Sequence, residues 1–159
     1  MTRGRHDGWM ATLLVVHHSP TRPMEALLQA CLDGAHDDEI DGVEVVVKDA
    51  LEATADDVLA AHGYVLGTTA NFGYMSGALK HFFDRTYYTC EGAVAGRPYA
   101  LCVHGDNDTA GAVNSVERIV TGWGLQAVAP AVRLTGEPER RDLDTAAEVA
   151  ATVAAHLLG

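Results

Sequence analysis

LGTTANFGYMSGALKHFFDRTYY, residues Leu66 to Tyr88, decides how the rest of the chain is read. It opens as the end of an apolar strand, Gly63 to Gly67. It passes into a loop of small residues with two aromatics, Thr68-Thr69-Ala70-Asn71-Phe72-Gly73-Tyr74. It closes as an amphipathic helix in which Met75, Leu79, Phe82, Phe83 and Thr86/Tyr87 recur at the spacing of one helical face. The loop is the unusual part, because Phe72 and Tyr74 flank a glycine and no apolar period accounts for them. Backbone amides and ring faces in such a loop can lie along a flat ligand. Equally, the two rings can fold back on the core as a surface turn. Local sequence leaves both readings open.

The same residues carry a longer pattern, G-T-x-x-x-F-G-x-M-S-G-x-x-K-x-F-x-D, from Gly67 to Asp84. It resembles the second flavin-contact loop and following helix of the flavodoxin-like NAD(P)H:quinone oxidoreductases, which include the tryptophan-repressor-binding-protein family and the NADPH-dependent FMN reductases. Gly67, Thr68, Phe72, Gly73, Met75, Ser76, Gly77, Phe82 and Asp84 fall in the order that the resemblance requires.

Working outward, residues 11–17 form a short continuous apolar run that predicts a buried parallel strand. The turn His18-Ser19-Pro20-Thr21-Arg22-Pro23 follows, then a helix with Met24, Ala26, Leu27, Leu28, Cys31 and Leu32 as its apolar members. Pro23 suits a first helical turn, where its missing N–H costs little. Strand, polar turn and helix N-terminus make a ready anion site, since unpaired amides and the helix dipole point the same way. The structural alternative is that Ser19 and Thr21 only cap the helix.

An acidic turn at residues 33–42 leads to a second strand, Val43 to Lys48, charged near both ends as an edge strand should be. Thr54, followed by Asp56 and Asp57, predicts a capped short helix within residues 49–61. Pro98 to His104 is a fourth apolar strand, ending in Gly105-Asp106-Asn107-Asp108-Thr109-Ala110-Gly111. Val113, Val116, Ile119, Val120 and Trp123 stripe the next helix, closed by Gly122/Gly124. Residues 126–134 predict a fifth strand, held to an edge by Pro130, and residues 140–158 a last helix.

Five strands alternating with five helices predict an α/β fold with a parallel sheet covered on both faces. Edge signatures on strands two and five, with apolar strands one, three and four, give the order 2-1-3-4-5. This is the flavodoxin-like three-layer sandwich, in which ligands sit where the strand order reverses. No G-x-G-x-x-G follows the first strand, which argues against a dinucleotide fold. The first strand also lacks the acidic end of a phosphoreceiver domain.

The 159 residues suffice for one sizeable core, so residues 10–159 are expected to form a single domain after a disordered lead-in at 1–9. Met10 is a candidate start, and no signal peptide or membrane span is expected. The net charge of −11 disfavours nucleic acid and anionic membrane as partners, since both call for clustered cations. Cys31, Cys90 and Cys102 are odd in number and lack a C-x-x-C, so free thiols and a cytoplasmic setting are expected. No metal site is expected, because the adjacent His17 and His18 would point to opposite faces of a strand.

The resemblance implies non-covalently bound FMN. It places the terminal phosphate at Ser19, Thr21, Arg22 and Met24, with a departure: arginine and proline stand at 22 and 23, where glycine and a donor residue are usual. It places the isoalloxazine beside Thr68, Thr69, Ala70, Asn71, Phe72, Gly73 and Tyr74, and the pyrimidine end beside His104, Gly105, Asp106, Asn107 and Gly111. His104 is the candidate catalytic group near flavin N1, with a plain strand-end hydrogen bond as the alternative. The implied activity is transfer from NAD(P)H through flavin to a quinone or similar small acceptor. A flavodoxin-type electron carrier acting on a redox-partner protein, and a flavin-free interaction domain, are the competing readings. A homodimer is the candidate assembly.

Overall fold

A computed structural model describes residues 9–159. Of the expected lead-in at residues 1–9, residues 1–8 lie outside the described residues; the Trp9 ring meets His62 edge-on at 5.4 Å.

The elements run in the order β1 (Ala11–His17), α1 (Arg22–Ala35), β2 (Val43–Asp49), α2 (Ala55–Ala60), β3 (Gly63–Asn71), β4 (Tyr74–Met75), α3 (Gly77–Cys90), β5 (Pro98–Gly105), α4 (Thr109–Trp123), β6 (Gln126–Ala127), β7 (Val132–Thr135) and α5 (Arg140–His156). The sheet order is β2-β1-β3-β5-β6, with β7 also on β5 and β4 on β3. Apart from the antiparallel β3–β4 pair, every strand pairing is parallel. With β6 and β7 counted as the fifth strand, this is the expected doubly wound order. The first reversal of direction falls between β1 and β3.

Alternation along the strands sorts the core into two layers. Leu14, Val16, Tyr64, Leu66, Leu101 and Val103 face α2, α3 and α4, where they meet Val58, Leu79, Phe82, Phe83, Val116 and Trp123. Leu13, Val15, Val65, Ala100 and Cys102 face α1 and α5, against Met24, Leu27, Cys31, Ala146, Ala150 and Val153. Each fully buried large side chain is worth roughly 1.5–3 kcal/mol. Gly34 explains how α1 and α5 pack so closely: a Cβ there would overlap the Ala147 backbone. All three cysteines are free thiols in the core.

Three boundaries differ from the sequence reading, each for a hydrogen-bonding reason. The fifth strand is not continuous over 126–134: Pro130 donates no backbone N–H, and the chain pairs as β6 and β7 on either side of it. Residues 68–71 are not loop. Thr68 and Thr69 pair with Val103 and His104, and β3 runs on to Asn71. Tyr74 and Met75 then pair back on Asn71 and Ala70, leaving a two-residue turn. The helix starts at Gly77, not at Met75, because Ser76 is its cap: Leu79 N–H donates to Ser76 Oγ at 3.2 Å. Arg85 has a packing role, donating to the carbonyls of Ala50 and Ala53 at 2.8 and 2.9 Å.

Candidate functional site

The loops after β1, β3 and β5 leave the sheet at one edge. The register fixes this, since His17 pairs with Gly67, and Thr69 with His104.

The middle loop is a tight hairpin. Phe72 and Gly73 both have left-handed backbone, with φ of 54° and 70°. Two consecutive left-handed residues make the turn whose twist suits a two-residue hairpin, a turn that favours Asn-Gly and disfavours an aromatic. Left-handed backbone costs an ordinary residue on the order of 1 kcal/mol. The Phe72 side chain recovers nothing by burial, since its relative exposure is 105%. Tyr74 is 43% exposed. The rings therefore do not fold back on the core.

The hairpin is fastened on both flanks. Thr68 Oγ1 accepts from Ser76 N–H at 3.0 Å and donates to its neighbour's carbonyl, while Met75 N–H donates to Ser115 Oγ at 3.1 Å. Its tip lies against the β5–α4 loop. Asp108, also left-handed at φ 44°, caps α4 by accepting from Gly111 N–H at 3.1 Å. A Cβ at Gly111 would enter the Gly73 carbonyl, and one at Gly105 would stand 2.7 Å from Ala70 Cβ. Gly73, Gly105 and Gly111 thus allow two loops to close on each other. Asn71, Asp106 and Asn107 are exposed beside them.

Thr69 carries a separate signal. Its hydroxyl is buried and has no hydrogen-bond partner. Leaving such a group unpaired costs about 1–3 kcal/mol, and a polar ligand at this edge would satisfy it.

In the first loop, Thr21 Oγ1 accepts from Met24 N–H at 3.3 Å and caps α1. The Met24 side chain is buried core and lies over Gly67. Ser19 Oγ is 3.0 Å from His17 Nδ1. Arg22 does not point free: its guanidinium forks onto both Glu137 oxygens at 2.9 and 3.0 Å, on the α5 side of the edge. That fork holds the Glu137 carboxyl below the usual range. His104 is buried, and its Nε2–H donates to the Gly136 carbonyl at 2.8 Å. A carbonyl can only accept, so Nε2 holds the proton and Nδ1 is the nitrogen left for chemistry.

The structure therefore brings all three predicted loops together. It gives Thr21 and His104 structural hydrogen bonds and Met24 a core position, and it leaves Phe72, Tyr74, Thr69 and Ser19 with unspent capacity. His17, Ser115 and Glu137 belong to the same edge and were missed as site residues. Glu137 lies 115 residues from Arg22, and no local pattern could pair them.

Sequence comparison matches residues 15–137 to a family described as NADPH-dependent FMN reductase. The chain belongs to the NADPH-dependent FMN reductase family. It is therefore a member of the FMN-binding flavoproteins of flavodoxin-like fold. A flavodoxin from Aquifex aeolicus (strain VF5) is 32% identical over 88 residues, which are 55% of this chain and 46% of that relative. The match thus spans about half of the relative's length. Among solved structures, a flavodoxin from the domain Archaea superposes with a TM-score of 0.78 at 17% identity, over 92% of this chain and 98% of that one. The flavodoxin, WrbA-like protein of Agrobacterium tumefaciens gives 0.74 at 18%, over 92% and 97%. Oxidised flavodoxin 2 from Bacillus cereus gives 0.76 at 20%, over 92% and 99%. At these identities the structures share the fold alone.

The edge fits the family's cofactor on its own terms. It offers an orphaned buried hydroxyl, two exposed rings on a rigid hairpin and a hydroxyl-bearing loop at a helix N-terminus. Among the described residues no group of three metal-ligating side chains forms, and no helix is long and apolar enough to cross a membrane.

Proposed function

We propose that this protein binds FMN at the edge formed by the β1–α1, β3–β4 and β5–α4 loops and uses it to pass electrons from NAD(P)H to a quinone or similar small acceptor. The observation that carries the reading is the Phe72–Gly73 turn: a left-handed aromatic, fully exposed, on a hairpin fastened at both flanks. Strain without compensating burial is retained where a site uses it.

Phe72 and Tyr74 supply ring faces for a flat heterocycle. Asn71, Gly105, Asp106 and Asn107 supply polar groups for its edge, and Thr69 a hydroxyl for its chain. Ser19, the α1 N-terminus and, once released from Glu137, Arg22 serve the phosphate. Bound FMN supplies the hydride and electron transfer; the protein supplies position and electrostatics. His104 acts from the flank, its ring held by Gly136 so that Nδ1 keeps one orientation.

A second reading has specific support. The Aquifex relative is a flavodoxin, and the net charge of −11 suits docking on a basic redox partner. In that case the protein is an electron carrier that does not itself oxidise NAD(P)H. The visible spectrum of the protein with FMN, followed under anaerobic NADPH, separates the two. Bleaching in one two-electron step supports the reductase. Bound flavin indifferent to NADH and NADPH, with two separated one-electron potentials, supports the carrier. Absence of any FMN binding would sink both.

A further inference from the structure

The inference concerns the residue beneath the first loop and rests on the FMN reading above. His17 ends β1 with its side chain on the face covered by α1, the face of Leu13 and Val15. Its backbone is pinned from both sides: its carbonyl accepts from Ala50 N–H at 2.7 Å, and His18 N–H donates to the Gly67 carbonyl at 3.0 Å. The 3.0 Å contact between His17 Nδ1 and Ser19 Oγ therefore hangs from a strand end and not from a free loop.

We propose that His17 is a positioning residue for the flavin phosphate. Protonated, its Nδ1–H donates to Ser19 Oγ and frees the Ser19 hydroxyl proton for a phosphate oxygen, so that FMN binding and His17 protonation are coupled.

The reason lies in the inventory of one hydroxyl. Serine has a single proton to donate. With Nδ1 as a bare lone pair, that proton is spent on His17, and the Ser19 oxygen presents lone pairs to an incoming ligand. A phosphate monoester carries about −1.5 to −2 charges at neutral pH and is repelled by them. The neutral Nδ1–H tautomer also reverses the bond, but only the imidazolium adds a cation, and it is that charge that couples phosphate binding to proton uptake.

Burial lowers the affinity of His17 for that proton, and His18 acts in the same sense, while the Asp49 carboxylate raises it. Asp49 is the register partner of His17 on β2. Beside it on β3 is Gly67, with the uncharged Met24 side chain of α1 over that glycine, and Arg22 at the start of α1 is engaged by Glu137. Near pH 7 the ligand-free ring is therefore neutral, and an arriving phosphate raises its pKa. The sign follows: affinity for FMN is highest on the acid side and falls as pH rises through the pKa of the complex, with proton uptake on binding. The phosphate's own second ionisation, near pH 6, acts oppositely, so the window to read is pH 6.5 to 8.5.

The test uses FMN and riboflavin, which differ by the phosphate. Their dissociation constants are read from flavin fluorescence across the window, and calorimetric titration in two buffers of different ionisation heat counts protons. For a rise of one pKa unit on binding, FMN affinity should fall by up to about fivefold across this window, with uptake of up to about half a proton per FMN. Riboflavin should show neither effect. In His17→Asn that fall and the proton uptake should vanish, leaving only the opposite trend of the phosphate itself, and Ser19→Ala should weaken FMN binding while riboflavin is unaffected. PH-independent FMN binding without proton uptake in the unaltered protein would overturn this inference alone. So would a dependence shared by riboflavin or surviving in His17→Asn. Failure of both flavins to bind would overturn the FMN reading with it.

Discussion

Replacing Phe72 by Asn should move stability and flavin affinity in opposite directions. The native φ of 54° is left-handed, and asparagine tolerates that region several-fold better than phenylalanine. Asn-Gly is also the preferred pair for this hairpin turn. No burial is forfeited, because the Phe72 ring is fully exposed. Relief of strain on the order of 1 kcal/mol corresponds to a rise in Tm of about 2–4 °C for a domain of this size. The FMN-free protein, scanned by calorimetry, should show that rise. Loss of an aromatic stacking surface costs about 1–3 kcal/mol per heterocycle in comparable sites, or roughly 5- to 140-fold in the FMN dissociation constant. Fluorescence titration should show that loss. A lower Tm in Phe72→Asn would refute the strain argument. An unchanged dissociation constant would refute the placement of the flavin beside this turn.

Other expectations follow from particular contacts. Burial depresses the His17 pKa in the FMN-free protein, so the unfolded chain binds the extra proton first, and His17 subtracts stability as pH falls below about 6.5. Urea midpoints should therefore show His17→Asn gaining on the unaltered protein at pH 5.5 relative to pH 7.5; a difference that does not change with pH would count against it. Gly34→Ala places a Cβ in the Ala147 backbone and should cost at least the 1–3 kcal/mol typical of overpacking, seen as a lower urea midpoint; an unshifted midpoint would mean that α1 and α5 separate freely. Glu137→Gln removes the carboxylate from Arg22, so FMN should bind more tightly and with steeper salt dependence while riboflavin is unaffected; equal effects on both flavins would place Arg22 away from the phosphate. Thiol titration of the native protein should find none of the three cysteines reactive, since Cys31, Cys90 and Cys102 are buried and the contact with Cys31, with burial, pushes the Cys102 thiol well up. Rapid labelling without denaturant would contradict that.

The doubly wound order was legible because apolar runs mark central strands and charged or proline-bearing runs mark edges, which β2 and the β6–β7 pair obey. The division of those last two strands was half legible: Pro130 was recognised as an edge signal, but its missing N–H also splits the strand. The continuation of β3 through Thr68 and Thr69 was hidden by polarity. Both are β-branched and suit a strand, but a hydrophobic pattern does not register them, and their partners lie on β5, more than thirty residues away. The aromatic turn was legible as an anomaly, because two rings beside a glycine had no apolar period to join. Its left-handed geometry was not. The first loop was legible only in part. Ser19, Thr21 and Arg22 read as three phosphate ligands, yet Thr21 caps its helix, Ser19 meets His17 and Arg22 meets Glu137. Caps and ligands use the same residue types, and an ion pair across the fold leaves no trace in local spacing.

The two fastenings of the β3–β4 hairpin, Thr68 to Ser76 and Met75 to Ser115, bear on the timing of flavin capture. A loop that must find its shape after encounter slows association and spends part of its affinity on ordering. Here the turn is held at both flanks before any ligand arrives, by the residue that caps α3 and by Ser115 in the second turn of α4. Association at this edge should therefore run at the rate of collision with a preset surface, in a single kinetic phase whose rate rises linearly with flavin concentration. The lifetime of the complex, and not its formation, is then what substitutions at Phe72 and Tyr74 change.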